Sequence, residues 1–303
     1  MKVLGIDIGG TKINMGVVDR EGKVYTTHTI PTSFPLYETL EKEIIHLLST
    51  NEDVEAIGIG TAGLIDTKHG KVLYASDNLP GWSGTEVKAR LEAAVNLNVE
   101  IDNDANVAAL AEVKLGVAKN FSRALLLTLG TGVGGGVIIN GRILTGPNGG
   151  VGEFGHMILY PGGILCSCGR KGCKEQYISG KALQRRIHEA GLSYSPEELM
   201  KYKASIPQAK EIIRSYTFDL AVSISSLQAA LDIEVVVLGG GVSDSADYWI
   251  EELREQLKPL LLNPLEVKVA TFKSNAGMLG AAQLVLDQIN ATNLIEDRHW
   301  SSI

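Results

Sequence analysis

Short runs of apolar and β-branched residues open the chain and predict three strands. They span residues 2–8, 13–18 and 23–30. Turns rich in glycine and charged residues separate these runs, so we expect the strands to pair antiparallel. The next segment, 36–49, instead repeats its apolar residues at helical spacing and predicts an amphipathic helix.

Strand and helix patterns then alternate as far as the C-terminus, which predicts an α/β protein. The further strand patterns cover residues 56–60, 98–102, 123–130, 137–140, 142–144, 234–238 and 266–271. The further helical patterns cover residues 85–95, 103–116, 180–190, 196–202, 207–231, 246–260 and 276–290. Both halves of the chain start with an apolar strand, a glycine loop and a hairpin. We therefore predict two α/β lobes with a cleft between them, residues 1–120 and 121–303, with the C-terminal helix a candidate addition to the first lobe.

Composition excludes several classes of protein. The chain has 303 residues, 45% of them hydrophobic and 21% charged, as in a globular protein with a sizeable core. A net charge of −7 without long basic runs argues against nucleic acid as a partner. No apolar stretch is long enough to cross a bilayer, and the first residues form a strand pattern rather than a signal peptide. We expect a cytoplasmic enzyme.

All three cysteines lie within eight positions, at Cys166, Cys168 and Cys173, and His156 precedes them by ten residues. Three thiolates and one imidazole complete a tetrahedral zinc shell, which would leave no position open for water. The alternative is three unrelated buried thiols and a core histidine, but chance clustering of every cysteine beside a histidine is improbable. We predict a structural zinc in the loop 156–173. Its function would be to fix the carboxylates at its edges, Glu153 and Glu175.

Three glycine-rich loops follow predicted strands. The first, Asp7-Ile-Gly9-Gly10-Thr11-Lys12, joins two strands, which excludes a Walker A loop because such a loop must open a helix. Its backbone N–H groups, with Thr11 and Lys12, could bind phosphate oxygens, and Asp7 could hold Mg²⁺ through water. A plain hairpin turn is an equal alternative for this loop alone.

Two further loops favour phosphate binding over a plain hairpin turn. Thr131 and Gly132 begin a second strand–glycine–strand loop, and Gly240 lies in a third loop after strand 234–238. Two phosphate loops and one adenosine loop would hold a nucleotide such as ATP.

Polar residues crowd the junction between strand 98–102 and the next helix. Asp104 there could simply cap the helix, because aspartate and asparagine are favoured N-caps. Asp102, Asn103 and Asn106 lie beside it, so the junction has more polar groups than capping requires. A carboxylate at this place could accept the proton of a sugar hydroxyl that attacks phosphorus, and Asn103 could orient the same sugar.

With these motifs in place, the sequence resembles the ROK family of repressors, open reading frames and sugar kinases. The motifs that carry the resemblance are DIGGTK (7–12), IDNDANVAALAE (101–112), TLGTGVGGG (128–136), GEFGH (152–156), CSCGRKGCKE (166–175) and LGGGV (238–242). The resemblance implies the actin-like, hexokinase-type ATPase fold of two ribonuclease-H-like lobes. It also implies an ATP- and Mg²⁺-dependent hexose kinase that forms a homodimer or homotetramer.

The resemblance also implies a role for individual residues. Asp104 matches the catalytic base for the hexose 6-hydroxyl. The sugar ligands match Asn103, Glu153, His156 and Glu175, with Gly63 and Asn78 in loops that line the sugar pocket. The nucleotide and metal residues match Asp7, Gly9, Gly10, Thr11, Lys12, Thr131, Gly132 and Gly240.

The motifs do not specify which hexose is the substrate. Glucose is the first choice, N-acetylmannosamine and β-glucoside disaccharides are alternatives, and fructose and other hexoses stay open. A repressor is disfavoured because DIGGTK starts at residue 7, ahead of which a helix-turn-helix does not fit. A sugar sensor without activity is disfavoured because Asp104 and both phosphate loops are intact. A nucleotide-hydrolysing scaffold does not account for the carboxylates around the zinc loop.

Overall fold

A computed structural model describes the backbone of residues 1–300 and the side chains of residues 1–290. The strands are β1 (Lys2–Ile8), β2 (Lys12–Asp19), β3 (Val24–Pro31), β4 (Val54–Thr61), β5 (Leu64–Asp66), β6 (Lys71–Tyr74), β7 (Asn98–Asn103), β8 (Arg123–Leu129), β9 (Val133–Ile139), β10 (Arg142–Ile143), β11 (Val235–Gly239) and β12 (Glu266–Val269). The α-helices are α1 (Leu36–Thr50), α2 (Val87–Val95), α3 (Asp104–Lys114), α4 (Glu175–Ile178), α5 (Gly180–Glu189), α6 (Pro196–Lys201), α7 (Pro207–Leu231), α8 (Ile250–Leu257) and α9 (Ala276–Trp300).

The chain forms two compact units. The first contains Met1–Gly116, Arg142–Gly150 and Ser274–Ile303, and the second contains Val117–Gly141 and Val151–Lys273. Each unit has a sheet with helices packed on it, so the predicted α/β class is confirmed. Among the described residues, no helix combines the length and the apolar character that crossing a bilayer requires.

The sheet of the first unit has the strand order β3-β2-β1-β4-β7. Its first three strands pair antiparallel, as predicted, and β1, β4 and β7 are parallel. The register pairs Asp7 with Gly60 and Thr61 with Asn103. Because the carboxyl ends of parallel strands meet at one edge, this pairing brings the polar residues that end β1 and β7 to the same edge of the sheet.

Helix α9 packs on this sheet and on α3 at very short distance. A Cβ built on Gly58 of β4 would lie 1.7 Å from the carbonyl oxygen of Ala281, and one on Gly280 would lie 1.6 Å from that of Val107. Glycine is therefore required on both sides of this packing. At the far end of the two helices, the Lys114 ammonium lies 2.7 Å from the Asp287 carboxylate.

The main sheet of the second unit includes β9-β8-β11-β12, in that order. β8 and β9 are antiparallel, and β11 runs parallel to both β8 and β12. Helix α7 buries one side of its length, and Tyr216 and Trp249 meet edge to face beside it with ring centroids 6.4 Å apart.

Two predicted boundaries in this unit are wrong. The glycine run 134–136 is part of β9 rather than of the preceding loop. These glycines pair with β8, and a Cβ on Gly135 would lie 2.5 Å from the ring of Phe154, so the strand needs glycine there to accommodate that ring. The predicted helix 246–260 is divided into a 3-10 segment, α8 and a second 3-10 turn at Pro259, since proline lacks the N–H that an α-helix needs.

Candidate functional site

The predicted site residues form two groups, one in each unit. The first unit contains Asp7, Gly9, Gly10, Thr11, Lys12, Gly63, Asn78, Asn103 and Asp104. The second contains Thr131, Gly132, Glu153, His156, Cys166, Cys168, Cys173, Glu175 and Gly240.

In the first unit, Asp7 at the end of β1 is a carboxylate with an unusual environment. Burial, followed by the nearby charge of Asp104, raises its pKa from 3.8 to about 6, although a hydrogen bond with Asn14 and the charge of Lys12 act in the opposite direction. Two carboxylates that influence each other disfavour the doubly ionised state, so a cation or a proton beside them would be stabilised. Asp7 is therefore suited to hold a divalent ion.

The N-cap of helix α3 is Asn103. Its side-chain oxygen accepts hydrogen bonds from the backbone N–H groups of Ala105, at 2.9 Å, and Asn106, at 3.3 Å. The amide nitrogen of the same side chain donates to the carbonyl oxygen of Gly63 at 3.0 Å. Asn103 thus joins the helix to the loop between β4 and β5.

Because Asn103 performs the capping, Asp104 is the first residue inside the helix. Its Oδ1 accepts a hydrogen bond from the N–H of Ala105 at 2.9 Å. Burial raises the pKa of Asp104 in spite of this bond. Asp104 is half-buried, and its raised pKa is closer to neutral pH than that of an exposed aspartate. It is therefore the better proton acceptor.

The glycine loop after β1 is a tight hairpin. Gly9 donates its N–H to the carbonyl oxygen of Lys12 at 3.0 Å, and the hydroxyl of Thr32 donates to the carbonyl oxygen of Gly9 at 2.7 Å. Gly10, Thr11 and Lys12 are exposed at its tip. Asn78 is adjacent, since a Cβ on Gly10 would lie 3.4 Å from the Asn78 Cβ.

In the second unit, the four predicted zinc ligands converge. One ligand atom from each of His156, Cys166, Cys168 and Cys173 lies within 4.8 Å of all the others. The Cys166 Sγ lies 3.7 Å from the His156 Nδ1, and the sulfurs of Cys168 and Cys173 are 3.6 Å apart. Zinc–sulfur bonds of ~2.3 Å in a tetrahedron would place the sulfurs about 3.8 Å apart. The donor set and its spacing therefore fit zinc.

Two carboxylates, Glu153 and Glu175, lie beside this Cys3His cluster. The Oε2 of Glu153 is 3.7 Å from the Nε2 of His156, the ring nitrogen that the cluster does not use. Glu175 follows Cys173 by two residues, and its Oε1 is 4.0 Å from the Cys166 Sγ. A metal in the cluster would thus fix both carboxylates.

Glu175 also contacts the loop between β8 and β9. Its Oε2 accepts a hydrogen bond from the N–H of Val133 at 3.2 Å. A Cβ on Gly132 would lie only 2.4 Å from the same oxygen. Five residues after Glu175, the N–H of Gly180 donates to the carbonyl oxygen of Gly130 at 2.7 Å. The Glu175 segment and the predicted phosphate loop are therefore one packed structure.

Gly240 lies at the carboxyl end of β11 with a positive φ of 82°. Its carbonyl oxygen accepts hydrogen bonds from the hydroxyl and the N–H of Ser243, at 2.6 and 2.9 Å. A Cβ at this position would lie 2.6 Å from the carbonyl oxygen of Leu129, so both the conformation and the space require glycine.

The sequence predicts no role for two residues that support the first group. Asp102 is buried, and its Oδ1 accepts hydrogen bonds from the Asn103 N–H, at 2.6 Å, and the Asn106 side chain, at 2.8 Å. Gly277 lies directly against Asp7. The repeated polar residues in 102–106 were a signal for Asp102, but no local pattern marks the approach of Gly277 to Asp7, because the two are distant in sequence.

Comparison with known proteins gives consistent results. The family model described as "ROK family" matches residues 3–288. Glucokinase from Streptomyces coelicolor is 33% identical over 313 residues, which cover 93% of this chain and 96% of that protein. N-acetyl-D-glucosamine kinase from Escherichia coli is 34% identical over 302 residues, which cover 93% of this chain and 98% of that protein.

A solved structure agrees with these relatives. The ROK family glucokinase from Streptomyces griseus, in complex with glucose and AMPPNP, superposes with a TM-score of 0.77 and 32% identity. The match covers 94% of this chain and 99% of that structure. The predicted two-lobed kinase fold and the resemblance stated from the motifs are both confirmed.

Proposed function

Since this chain belongs to the ROK family, we propose that it is an ATP-dependent hexose kinase that phosphorylates the 6-hydroxyl of a hexose, most simply glucose. The observation that carries the proposal is the state of Asp104. Asp104 directly follows the carboxyl end of β7, which pairs parallel with β4. Burial raises its pKa, and Asn103 caps helix α3 in its place.

In the proposed reaction, the carboxylate of Asp104 accepts the proton of the hexose 6-hydroxyl as the oxygen attacks the γ-phosphorus of ATP. The bond from that phosphorus to the bridging oxygen breaks, and ADP leaves. Phosphoryl transfer depends mostly on positioning and on charge neutralisation, so a single general base with well-placed donors is sufficient.

The other predicted site residues have complementary tasks in this proposal. Asn103, Glu153, His156 and Glu175 bind sugar hydroxyls, because carboxylate, amide and imidazole groups can each form directed hydrogen bonds with them. The loops containing Gly63 and Asn78 complete the sugar contacts. The N–H groups of Gly10 and Gly132, with the side chains of Thr11, Lys12 and Thr131, bind the ATP phosphates. Gly9 shapes the hairpin through its own hydrogen bond to Lys12, and Gly240 borders the adenosine.

We assign Asp7 to Mg²⁺ and the Cys3His cluster to zinc. Magnesium would neutralise charge on the phosphates, and a four-ligand zinc would be structural, since its shell has no open position. The spacing of the four donor atoms supports the zinc assignment. The raised pKa of Asp7, which reflects an electrostatic demand for a cation or proton, supports the magnesium assignment.

The test is an ATP-coupled assay with glucose, N-acetylmannosamine, N-acetylglucosamine, cellobiose, mannose and fructose. We expect one of these sugars to be phosphorylated with a clear preference, and glucose first. N-acetylglucosamine is included because a kinase for that sugar is among the relatives. Asp104→Asn should retain sugar binding while kcat falls at least 10²–10⁴-fold. Full activity in that variant would remove Asp104 from its role.

A sugar-sensing regulator is the alternative from another class. It would bind a hexose without consuming ATP, so the same assay combined with calorimetric sugar binding separates the two. We also propose a cytoplasmic homodimer or homotetramer, which light scattering on the purified protein would test.

A further inference from the structure

Glu175, the proposed sugar ligand beside the zinc cluster, is the first residue of α4, a helix of only four residues. A single helical turn is not stable by itself, since helix formation has a costly nucleation step. The position of the Glu175 carboxylate must therefore be set by the groups that hold this turn.

Side chains from α5 and α7 bind the backbone at the end of α4. Arg185 donates to the carbonyl oxygen of Gln176, and Arg186 donates to that of Tyr177 at 3.0 Å. The hydroxyl of Tyr216 donates to the carbonyl oxygen of Ile178 at 2.8 Å. Three consecutive carbonyl groups that a helix of this length leaves without partners are thus satisfied by side chains.

Arg186 connects this turn to two other parts of the second unit. The same guanidinium forms an ion pair with Asp219 of α7 and donates to the hydroxyl of Ser215 at 2.7 Å. The other carboxylate oxygen of Asp219 accepts a hydrogen bond from the hydroxyl of Tyr160. Tyr160 lies in the loop 156–173 that contains the Cys3His cluster, here called the zinc segment. The Arg186 and Asp219 side chains are 15% and 7% exposed, so the pair is largely removed from water.

The ring of Tyr160 adds a further contact in the same place. It packs edge to face on Tyr177, with ring centroids 4.7 Å apart, and the hydroxyl of Tyr177 accepts a hydrogen bond from the N–H of Ile164 at 3.0 Å. The zinc segment, α4 and α7 therefore meet at one buried ion pair.

We propose that Arg186, held in place by Asp219 and Tyr160, positions Glu175 for sugar binding by binding the end of α4; this inference rests on the function proposed above. A zinc bound in the Cys3His cluster would fix one side of Glu175 through Cys173, and Arg186 fixes the other side through the end of α4. Arg186 is thus a positioning residue, because it contacts the backbone that carries Glu175 and is not assigned to the sugar.

A purely structural role would give a different result. If the ion pair only stabilised the second unit, its loss would lower the melting temperature without a selective effect on the sugar. A buried ion pair that loses one partner is destabilising, so stability alone cannot distinguish the two roles. The two roles are distinguished by whether the sugar KM rises while the ATP KM stays the same.

The experiment measures both KM values, kcat and bound zinc for Tyr160→Phe, Arg186→Lys and Arg186→Met. Tyr160→Phe removes one hydroxyl and leaves the ion pair, so it should fold and raise the sugar KM about threefold. Arg186→Met should raise the sugar KM at least tenfold, and Arg186→Lys should lie between them. We expect the ATP KM to change less than twofold and the zinc content to be unchanged. Lys201→Met, which removes an exposed cation of an i,i+4 pair in the same unit, is the control and should match the wild type.

A double-mutant cycle tests whether Arg186 acts through Glu175. In a Glu175→Gln background, where the carboxylate is already lost, Arg186→Met should raise the sugar KM less than twofold further. Equal effects in the two backgrounds would overturn the proposal, as would a sugar KM that stays at the wild-type value in folded Tyr160→Phe and Arg186→Lys. A wild-type protein that phosphorylates none of the hexoses would instead refute the proposed function.

Discussion

Gly277, the second residue of α9, lies directly against the carboxylate of Asp7. A Cβ built on Gly277 would be 2.4 Å from the Asp7 Cγ and 2.7 and 2.8 Å from its two oxygens. Helix α9 therefore leaves just enough space at residue 277 for the carboxylate of Asp7, which we assign to Mg²⁺. The absence of a side chain at residue 277 sets the position of that carboxylate.

Gly277→Ala should lower kcat about 10²-fold and raise the Mg²⁺ concentration needed for half-maximal rate, because a displacement of about 1 Å can have an effect of this size. Helix propensity alone would favour alanine by up to ~1 kcal/mol, so the variant is not expected to fail for local reasons. Mn²⁺ binding, followed by electron paramagnetic resonance, gives a readout besides activity. Gly150→Ala is the control, since a Cβ there meets nothing within 4 Å. Unaltered Mn²⁺ affinity in Gly277→Ala would contradict the assignment.

Asp102 should make stability depend on pH. Burial raises its pKa from 3.8 to about 6, so the folded state binds the proton more tightly than the unfolded state does. This contribution to stability is fully present below about pH 4 and is lost as the pH rises to about 6. A shift of this size corresponds to ~3 kcal/mol.

Asp102→Asn tests this directly, because its Oδ1 can still accept both hydrogen bonds that Asp102 accepts. The variant should gain stability relative to the wild type as the pH rises from about 4 to about 6, by up to ~3 kcal/mol. Urea denaturation of both proteins at several pH values measures the difference. A difference that does not vary with pH would show that Asp102 titrates as an exposed aspartate does.

As the pH is lowered, kcat should begin to fall at a higher pH than it would if the essential carboxylate were an exposed aspartate. In the proposed reaction Asp104 acts as a carboxylate, and burial raises its pKa. Asp7 has a pKa of about 6 because of burial and of the nearby charge of Asp104. Protonation of either group should remove activity as the pH falls. Since Mg²⁺ and protons would compete for Asp7, kcat/KM profiles at two Mg²⁺ concentrations should show the acidic limb at lower pH when Mg²⁺ is high. An acidic limb that does not respond to Mg²⁺ would separate Asp7 from the metal.

Metal analysis of the native protein should find one zinc per chain. Cys168→Ser should lose the metal and lower both the free energy of unfolding and the sugar affinity, because the ligands anchor the segment between Glu153 and Glu175. The loss of stability should exceed the ~1 kcal/mol of an average substitution. If native protein contained no zinc and were still fully stable, the zinc site would be refuted.

Gly132→Ala should raise the sugar KM about tenfold, equivalent to ~1.4 kcal/mol. The new methyl group would lie 2.4 Å from the Glu175 Oε2 and displace that carboxylate. Gly130→Ala, in the same loop, is the comparison because a Cβ there meets nothing within 4 Å. Similar KM values in the two variants would mean that the contact with Glu175 does not matter.

The sequence by itself determined the features that depend on neighbours along the chain. Runs of apolar and β-branched residues are sufficient to place β1, β2 and β3, and helical spacing of apolar residues is sufficient to place α1, because both signals come from neighbouring residues. The Cys3His cluster was predictable for a related reason: its four ligands lie within residues 156–173, so a short loop can bring them together.

Only the tertiary structure decided which distant residues touch. No local sequence pattern predicts these contacts. They join Gly277 to Asp7, Gly132 to Glu175, and Arg186 to Asp219. The glycines of β9 illustrate the same limit, because the sequence favours a loop while the ring of Phe154 makes glycine necessary in the strand. Local pattern encodes which face of an element is buried, whereas the partner on that face depends on how the elements pack in three dimensions.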